Sequence, residues 1–237
     1  MRNDFCAVSI TSGVLFKYKD ESCSVSVFGI IPDDTFEFKS QGTAYGIVLQ
    51  GVVTLTTNQK ERVFYEGDYF SIMDSFLLES KGTCVIISQD GYRGMNTFGG
   101  PIEATGRLRY IDGCTDSLLI PPVLKGDPCI NHLHFPKNIT QTPHTHPSIR
   151  IGVVYKGNGV CLLENREEVE LSYGKVFLLK KEVIHSFDTK DSTMDIVVLH
   201  PDSDFGPEHD EHPMINRTIV DGVSAKVKHG IRTKRLQ

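Results

Sequence analysis

Two histidines one residue apart, in His144-Thr-His146-Pro-Ser-Ile-Arg150, and a third at His185 are the residues whose type and spacing point most directly to chemistry. On an extended strand the side chains at i and i+2 leave the same face, so both imidazoles can reach one ion. Three histidines around a divalent metal leave positions on the ion open, as a catalytic rather than a purely structural site requires. Where a carboxylate would complete such a set, the chain has Arg150. Arginine stays protonated and offers no lone pair, so it must act on something other than the ion. A dication held by three neutral imidazoles keeps its full charge, and Arg150, pointing inward from the same strand, adds another positive charge in a confined space. Such a cavity is expected to seek a small anion that binds the metal through one oxygen while the guanidinium clamps a second. The alternative is that Arg150 pairs with an internal acid such as Asp188 or Asp195, because arginine seldom stays unpaired when buried.

The elements that must position these residues read as strands. Short β-branched and aromatic runs separated by turn residues recur at Val14 to Tyr18, Ser24 to Ile31, Gly46 to Thr57, Arg62 to Phe64, Tyr69 to Ile72 and Cys84 to Ser88, and a similar series begins at Cys129. Between the series, Gly91 to Lys125 is rich in glycine, proline and polar residues and reads as a linker. The two series match internally. Gly46-Ile-Val-Leu-Gln-Gly51 aligns with Gly152-Val-Val-Tyr-Lys-Gly157, and the strands led by Gly67 and Gly174 follow with one residue of slippage. Two tandem copies of one β-unit account for this.

The spacing resembles the cupin superfamily, whose first motif runs G-x5-H-x-H-x3,4-E-x6-G and whose second runs G-x5-P-x-G-x2-H-x3-N. His144, His146 and Gly157 keep the first motif, with Arg150 in the glutamate place and Asn138 in place of the opening glycine. Gly174 and His185 keep the second, with Lys180, Glu182 and Thr189 replacing its proline, glycine and asparagine. The same offsets in the first repeat give Phe38, Ser40, Ala44 and Leu78, none of them a plausible ligand set, and all nine histidines lie at or after residue 132. The resemblance implies an all-β chain of two tandem cupin (double-stranded β-helix, jelly-roll) barrels. Residues 1–100 would form a degenerate metal-free barrel, 101–126 a linker, 127–205 the barrel holding metal on His144, His146 and His185, and 206–237 a C-terminal extension. A three-histidine cupin site without the glutamate is similar to that of gentisate, salicylate, β-diketone and thiol dioxygenases, which implies Fe(II), with Zn, Ni, Mn or Co as alternatives. The gentisate type also has an arginine after its histidine pair, but two residues nearer the glycine, at a place held here by Gly152. That departure limits what can be transferred about substrate.

Alternation along the strand after His146 puts Gly152 and Val154 on the face of the histidines, as cavity-lining, substrate-binding positions beside Arg150, with Gly152 leaving room for a ligand. His134, alternating with His132 on the preceding strand, is placed near substrate or behind a ligand, and His200 on the last strand is similar. Ile149, Ile151, Val153 and Tyr155 form an outward apolar stripe, as do Tyr45, Ile47 and Leu49 in the first repeat. Such stripes must be covered by the other barrel or by a partner chain, so a homodimer is a natural assembly.

At 237 residues, 39% hydrophobic and 23% charged, the composition is that of a globular protein. No apolar run approaches bilayer length, no secretion signal opens the chain, and six scattered cysteines without a CxxC pair read as reduced thiols, all of which favour a cytoplasmic protein without a membrane role. A net charge of −5 argues against nucleic-acid binding, and the basic stretch Lys226 to Arg235 reads as a solvated terminus. The acid- and histidine-rich segment from Asp202 to His212 reads as a solvated loop, and the sequons at Asn138 and Asn216 carry no meaning without secretion. The expected function is that of a non-haem Fe(II) dioxygenase acting on a hydroxylated aromatic acid or β-dicarbonyl, with Arg150 neutralising charge. The alternatives are a metal-dependent isomerase or lyase acting on a small carboxylate or sugar acid, and a non-catalytic small-molecule binder.

Overall fold

The structure, a computed structural model, describes residues 4–58, 60–164, 167–203 and 217–229. In chain order the strands of the first half are β1 (Phe5–Ser9), β2 (Gly13–Lys19), β3 (Ser24–Ile30), β4 (Thr35–Phe38), β5 (Gly42–Gln50), β6 (Val52–Thr56), β7 (Glu61–Tyr65), β8 (Tyr69–Ile72), β9 (Phe76–Ser80), β10 (Thr83–Asp90) and β11 (Thr97–Gly99). Those of the second half are β12 (Leu108–Arg109), β13 (Thr115–Ile120), β14 (Cys129–Phe135), β15 (Arg150–Leu163), β16 (Glu168–Ser172), β17 (Lys175–Leu179), β18 (His185–Asp188) and β19 (Met194–His200), followed by the short hairpin β20 (Ile219–Val220) and β21 (Val223–Ser224). The result is an all-β chain of two tandem cupin barrels.

The first barrel sets the sheet β11-β8-β5-β10-β3-β2 against the sheet β4-β9-β6-β7. Its interior is solid. Phe38, Phe64, Phe70 and Phe76 pack with Leu78, Ala44 and Ile86, all of them buried, with neighbouring ring centroids as close as 4.8 Å. Phe38 stands opposite Phe76 in the strand register, two pairs along from the Leu78 that the sequence offset selects. No cluster of metal-ligating side chains occurs in this barrel among the described residues.

The second barrel is organised by β15. Its first half pairs with β17 and β19, and its second half pairs with β16 and β18 in the facing layer. The strand changes layers at Gly157, whose φ is +70°, a left-handed value that glycine adopts without steric cost. A Cβ there would come within 1.8 Å of the Thr193 carbonyl oxygen. Gly51, with φ of +74°, makes the same corner between β5 and β6, so the repeated glycines mark where each barrel folds over.

Two features depart from the domain boundaries expected above. β1, from the N-terminal end, is hydrogen-bonded to β17 at the edge of the second barrel, and Lys180 N donates to Asp4 O to extend that pairing. The stretch read as linker is partly sheet: β12 and β13 pair with each other, and β13 pairs with β14. Glycine and proline there disguised two short strands.

The apolar stripes pack on each other within the chain. Tyr45, Ile47 and Leu49 share one buried cluster with Ile149, Ile151, Val153 and Tyr155. The other face of each strand fills its own barrel. Gly46 lies opposite Phe70, and Gly152 lies opposite Phe177. A Cβ added at either glycine would lie 2.0 Å from the Cζ of its phenylalanine. Each ring therefore covers a bare glycine, and substituting either glycine overpacks the core, at a cost of about 1–3 kcal/mol. Gly46→Ala and Gly152→Ala are each expected to lower the urea midpoint of unfolding accordingly; an unchanged midpoint would contradict the packing described.

Candidate metal centre

His144 lies outside the long strands, in an isolated bridge with His185: His144 N donates to His185 O at 2.9 Å and His185 N donates to His144 O at 3.0 Å. The loop carrying His146 is fixed by Glu182 N, which donates to His146 O at 2.8 Å. The three rings converge, with centroids 4.4 Å apart for His144 and His185 and 5.1 Å apart for each of the other pairs. Their ligating nitrogens all lie within 4.8 Å of one another.

Ring orientation follows from the second nitrogen. His144 Nδ1 lies 2.9 Å from Thr142 O, and His185 Nδ1 lies 2.9 Å from Val183 O. A carbonyl only accepts, so each Nδ1 carries the proton and leaves Nε2 as a lone-pair donor, the arrangement that metal-ligating histidines adopt. His185 Nε2 is buried without a partner in the chain. Burial, together with the charge of Arg150 and the neighbouring imidazoles, pushes the His146 pKa down to about 3. His185 falls to about 4, mainly through burial. Convergent, with His146 and His185 held neutral and one nitrogen orphaned, the three residues fit a divalent metal ion.

The turns that hold this group keep cupin geometry while changing the residues. Asn138 and Glu182, which replace the two motif glycines, sit at φ of +59° and +60°. Asparagine tolerates that conformation, whereas glutamate is strained in it by about 1 kcal/mol. Thr189 Oγ1, in the motif's asparagine place, accepts from Ile139 N at 3.1 Å and donates to Pro136 O at 2.5 Å, tying down the first-motif loop. Lys180 replaces a proline, which could not make the backbone bond to Asp4.

Beside the histidines lies a chamber of about 20 Å³, walled by Leu133, Phe135, Phe177 and Phe187, with His146, Arg150 and His200 also on its lining. Those same three residues line an outer cavity of about 340 Å³ that also exposes Asp116, Asn131 and Asp202. Arg150 is anchored at the boundary: Nη1 donates to Ser148 Oγ at 2.6 Å, to Ile149 O at 2.9 Å and to Ser148 O at 3.2 Å. Ser148 Oγ in turn donates to Asp202, which links that carboxylate to the Arg150 network. Asp195 is instead held by His132 Nε2 and His134 Nδ1, each 2.8 Å from its Oδ1.

Arg150 borders both cavities beside the three histidines, whereas Gly152, Val154 and His134 line neither. Gly152 is covered by Phe177. Val154 is fully buried in the barrel core. His134 points to the opposite face of β14, where it binds Asp195. Alternation gave the correct face for Gly152 and Val154, but a neighbouring ring fills the space that a missing side chain leaves. His200 does line both cavities, and burial with Arg150 and His146 nearby pushes its pKa well down. The sequence reading missed Gln141 and Tyr110 in the chamber; Gln141 lies three residues before His144 with no periodicity to single it out, and Tyr110 lies in the supposed linker. Residues 204–212 of the acid- and histidine-rich segment lie outside the described residues.

Residues 125–204, the second barrel, match the family model of the AraC-like ligand binding domain. No curated protein matches the chain. Among solved structures, protein Ylba from E. coli aligns with a TM-score of 0.62 at 15% identity over 88% of this chain and 94% of that one. A Cupin 2 conserved barrel domain protein from Leptotrichia buccalis aligns at 0.57 and 15% over 82% and 88%. A mutant salicylate 1,2-dioxygenase from Pseudoaminobacter salicylatoxidans aligns at 0.57 and 12% over 76% and 71%. At these identities the likeness establishes the cupin fold. No helix among the described residues is long and apolar enough to cross a membrane.

Three predictions follow from the geometry. Divalent metal should raise the unfolding temperature, with about 2.7 kcal/mol gained at a hundredfold excess over Kd, and His144→Ala or His185→Ala should abolish the gain. The metal-free protein should lose stability as pH falls from about 6.5 toward 4, since the unfolded chain takes up protons that folded His146 and His185 resist; a urea midpoint that is flat over this range would contradict it. Glu182→Gly should leave the unfolding free energy from urea titration level or raise it by up to about 1 kcal/mol.

Proposed function

We propose that the chain is a metal-dependent bicupin enzyme, a non-haem Fe(II) dioxygenase acting on a small anionic substrate such as a hydroxylated aromatic acid or β-dicarbonyl. The observation that carries this reading is the convergence of His144, His146 and His185, with no carboxylate joining the group among the described residues, beside a guanidinium on the lining of a largely apolar chamber. Iron held there would supply open coordination positions and redox chemistry. The chain's own residues divide the remaining work. Arg150 binds the anionic group of the substrate in the outer cavity, its position set by Ser148 and the Ile149 carbonyl. His200, kept neutral by its surroundings, borders both spaces and can donate or accept one hydrogen bond from substrate without adding charge. The phenylalanines around the chamber keep bulk water from the reacting atoms.

The likeness in fold to a salicylate dioxygenase is consistent with this reading. A second reading is supported by the match to a ligand binding domain over the same barrel: a binder that recognises a small anion without turning it over.

Anaerobic reconstitution with Fe(II), followed by an oxygen-uptake screen over hydroxybenzoates and β-dicarbonyls, separates the two. Uptake with at least one acid is expected. Iron bound at the site with no uptake for any of them, and ligand binding unchanged in His144→Ala, would establish the binder instead. With an active substrate, Arg150→Leu should raise KM by about tenfold or more, the worth of a charge-assisted hydrogen bond.

A further inference from the structure

Gln141 has no role in the reading above, yet it is placed where the site needs one. Its side chain is 1% exposed, and both Oε1 and Nε2 are buried without a hydrogen-bond partner. It lines the same chamber as His144, His146 and His185. Its backbone is fixed by donation from Gln141 N to Phe187 O at 3.1 Å, two residues along β18 from His185. Burying an amide with nothing bound to either end costs about 1–3 kcal/mol, and native chains satisfy nearly all such groups with protein or ordered water. Leucine or methionine would fill the volume without that penalty, so the amide stands ready for something that is not part of the chain.

The size and lining of the chamber define what that is. A volume of about 20 Å³ exceeds the roughly 10–15 Å³ that one water requires and is far below the size of an organic acid. Three orphaned polar atoms belong to residues that line it: Gln141 Oε1, Gln141 Nε2 and His185 Nε2. A water in a protein interior needs two to four polar partners; in the metal-free protein these supply three, and with an ion on His185 Nε2 the two amide atoms of Gln141 remain.

We propose that the inner chamber is a binding site for one small ligand of the size of water or a diatomic or linear triatomic molecule, and that Gln141 is the residue that holds it. The amide can donate through Nε2 and accept through Oε1, so it takes water, and it can donate to a ligand that only accepts. Within the dioxygenase reading, on which this part rests, the chamber takes the small co-substrate while the outer cavity takes the organic anion.

Two experiments test this separately. In crystals of metal-free protein diffracting well enough to show solvent, one ordered water should lie within hydrogen-bond distance of both the Gln141 amide and His185 Nε2; an empty chamber would overturn the proposal whatever the metal does. In Co(II)-loaded protein, azide titration followed by visible absorption should show binding that weakens about tenfold in Gln141→Leu, the worth of one buried hydrogen bond, while Co(II) affinity changes less than twofold. Equal azide affinity in the two proteins would overturn it, and a tenfold loss of Co(II) affinity would make the amide a ligand of the ion instead. Gln141→Met, close in shape, guards against misfolding and should be at least as stable as the parent without metal. Failure of the chain to bind Co(II) would count against the metal reading while leaving the crystallographic result to decide the chamber.

Discussion

The two-sided burial of β15 is the constraint on which the rest depends. One face of its first half supplies Ile151, Val153 and Tyr155 to the core between the barrels, while Arg150 on the other face borders the cavities. A slip of one residue would exchange these faces, driving Arg150 into the inter-barrel core and isoleucine into the site. Because the inter-barrel surface is continuous and apolar on both sides, that register is strongly specified. The first barrel contributes Tyr45, Ile47 and Leu49 to this shared core, and Phe38, Phe64, Phe70 and Phe76 fill its own interior.

The second-barrel turns show that a motif can lose its letters and keep its shape. Glycine is expected where a backbone takes a left-handed conformation, yet Asn138 and Glu182 hold those positions at φ of +59° and +60°. The surrounding bonds explain how. Glu182 N is held by His146 O, and the loop at Asn138 is pinned by Thr189 from below. Strain at Glu182 persists because the loop it closes is over-determined, which is the usual condition for strain near a site. The loss of proline at Lys180 has a positive reason, since its N–H continues the ladder that joins β1 to β17.

Much of this was legible in the sequence because it rests on short-range spacing. The repeated glycines located two corners, Gly51 and Gly157, and the alternating apolar residues around Ile151 and Ile47 identified faces that proved to be covered by each other. The histidine intervals picked out three residues that one loop and the start of β18 bring together. What was not legible depends on what fills space from elsewhere in the chain. Gly152 reads as an opening until Phe177, 25 residues later, is seen lying over it. His132 and His134 read as neighbours of a metal until Asp195 is seen between them on the opposite face. β1 and β13 are short edge elements whose pairing is decided by the tertiary structure, so local composition misassigned both.

The account stands on His144, His146 and His185 acting together as the metal ligands. X-ray absorption on protein loaded with one equivalent of divalent metal tests this most directly. It predicts about three imidazole nitrogens near 2.0–2.1 Å for zinc, with no sulfur shell, and loss of that signature in His144→Ala. A sulfur shell near 2.3 Å, or an imidazole signature unchanged by the substitution, would contradict it.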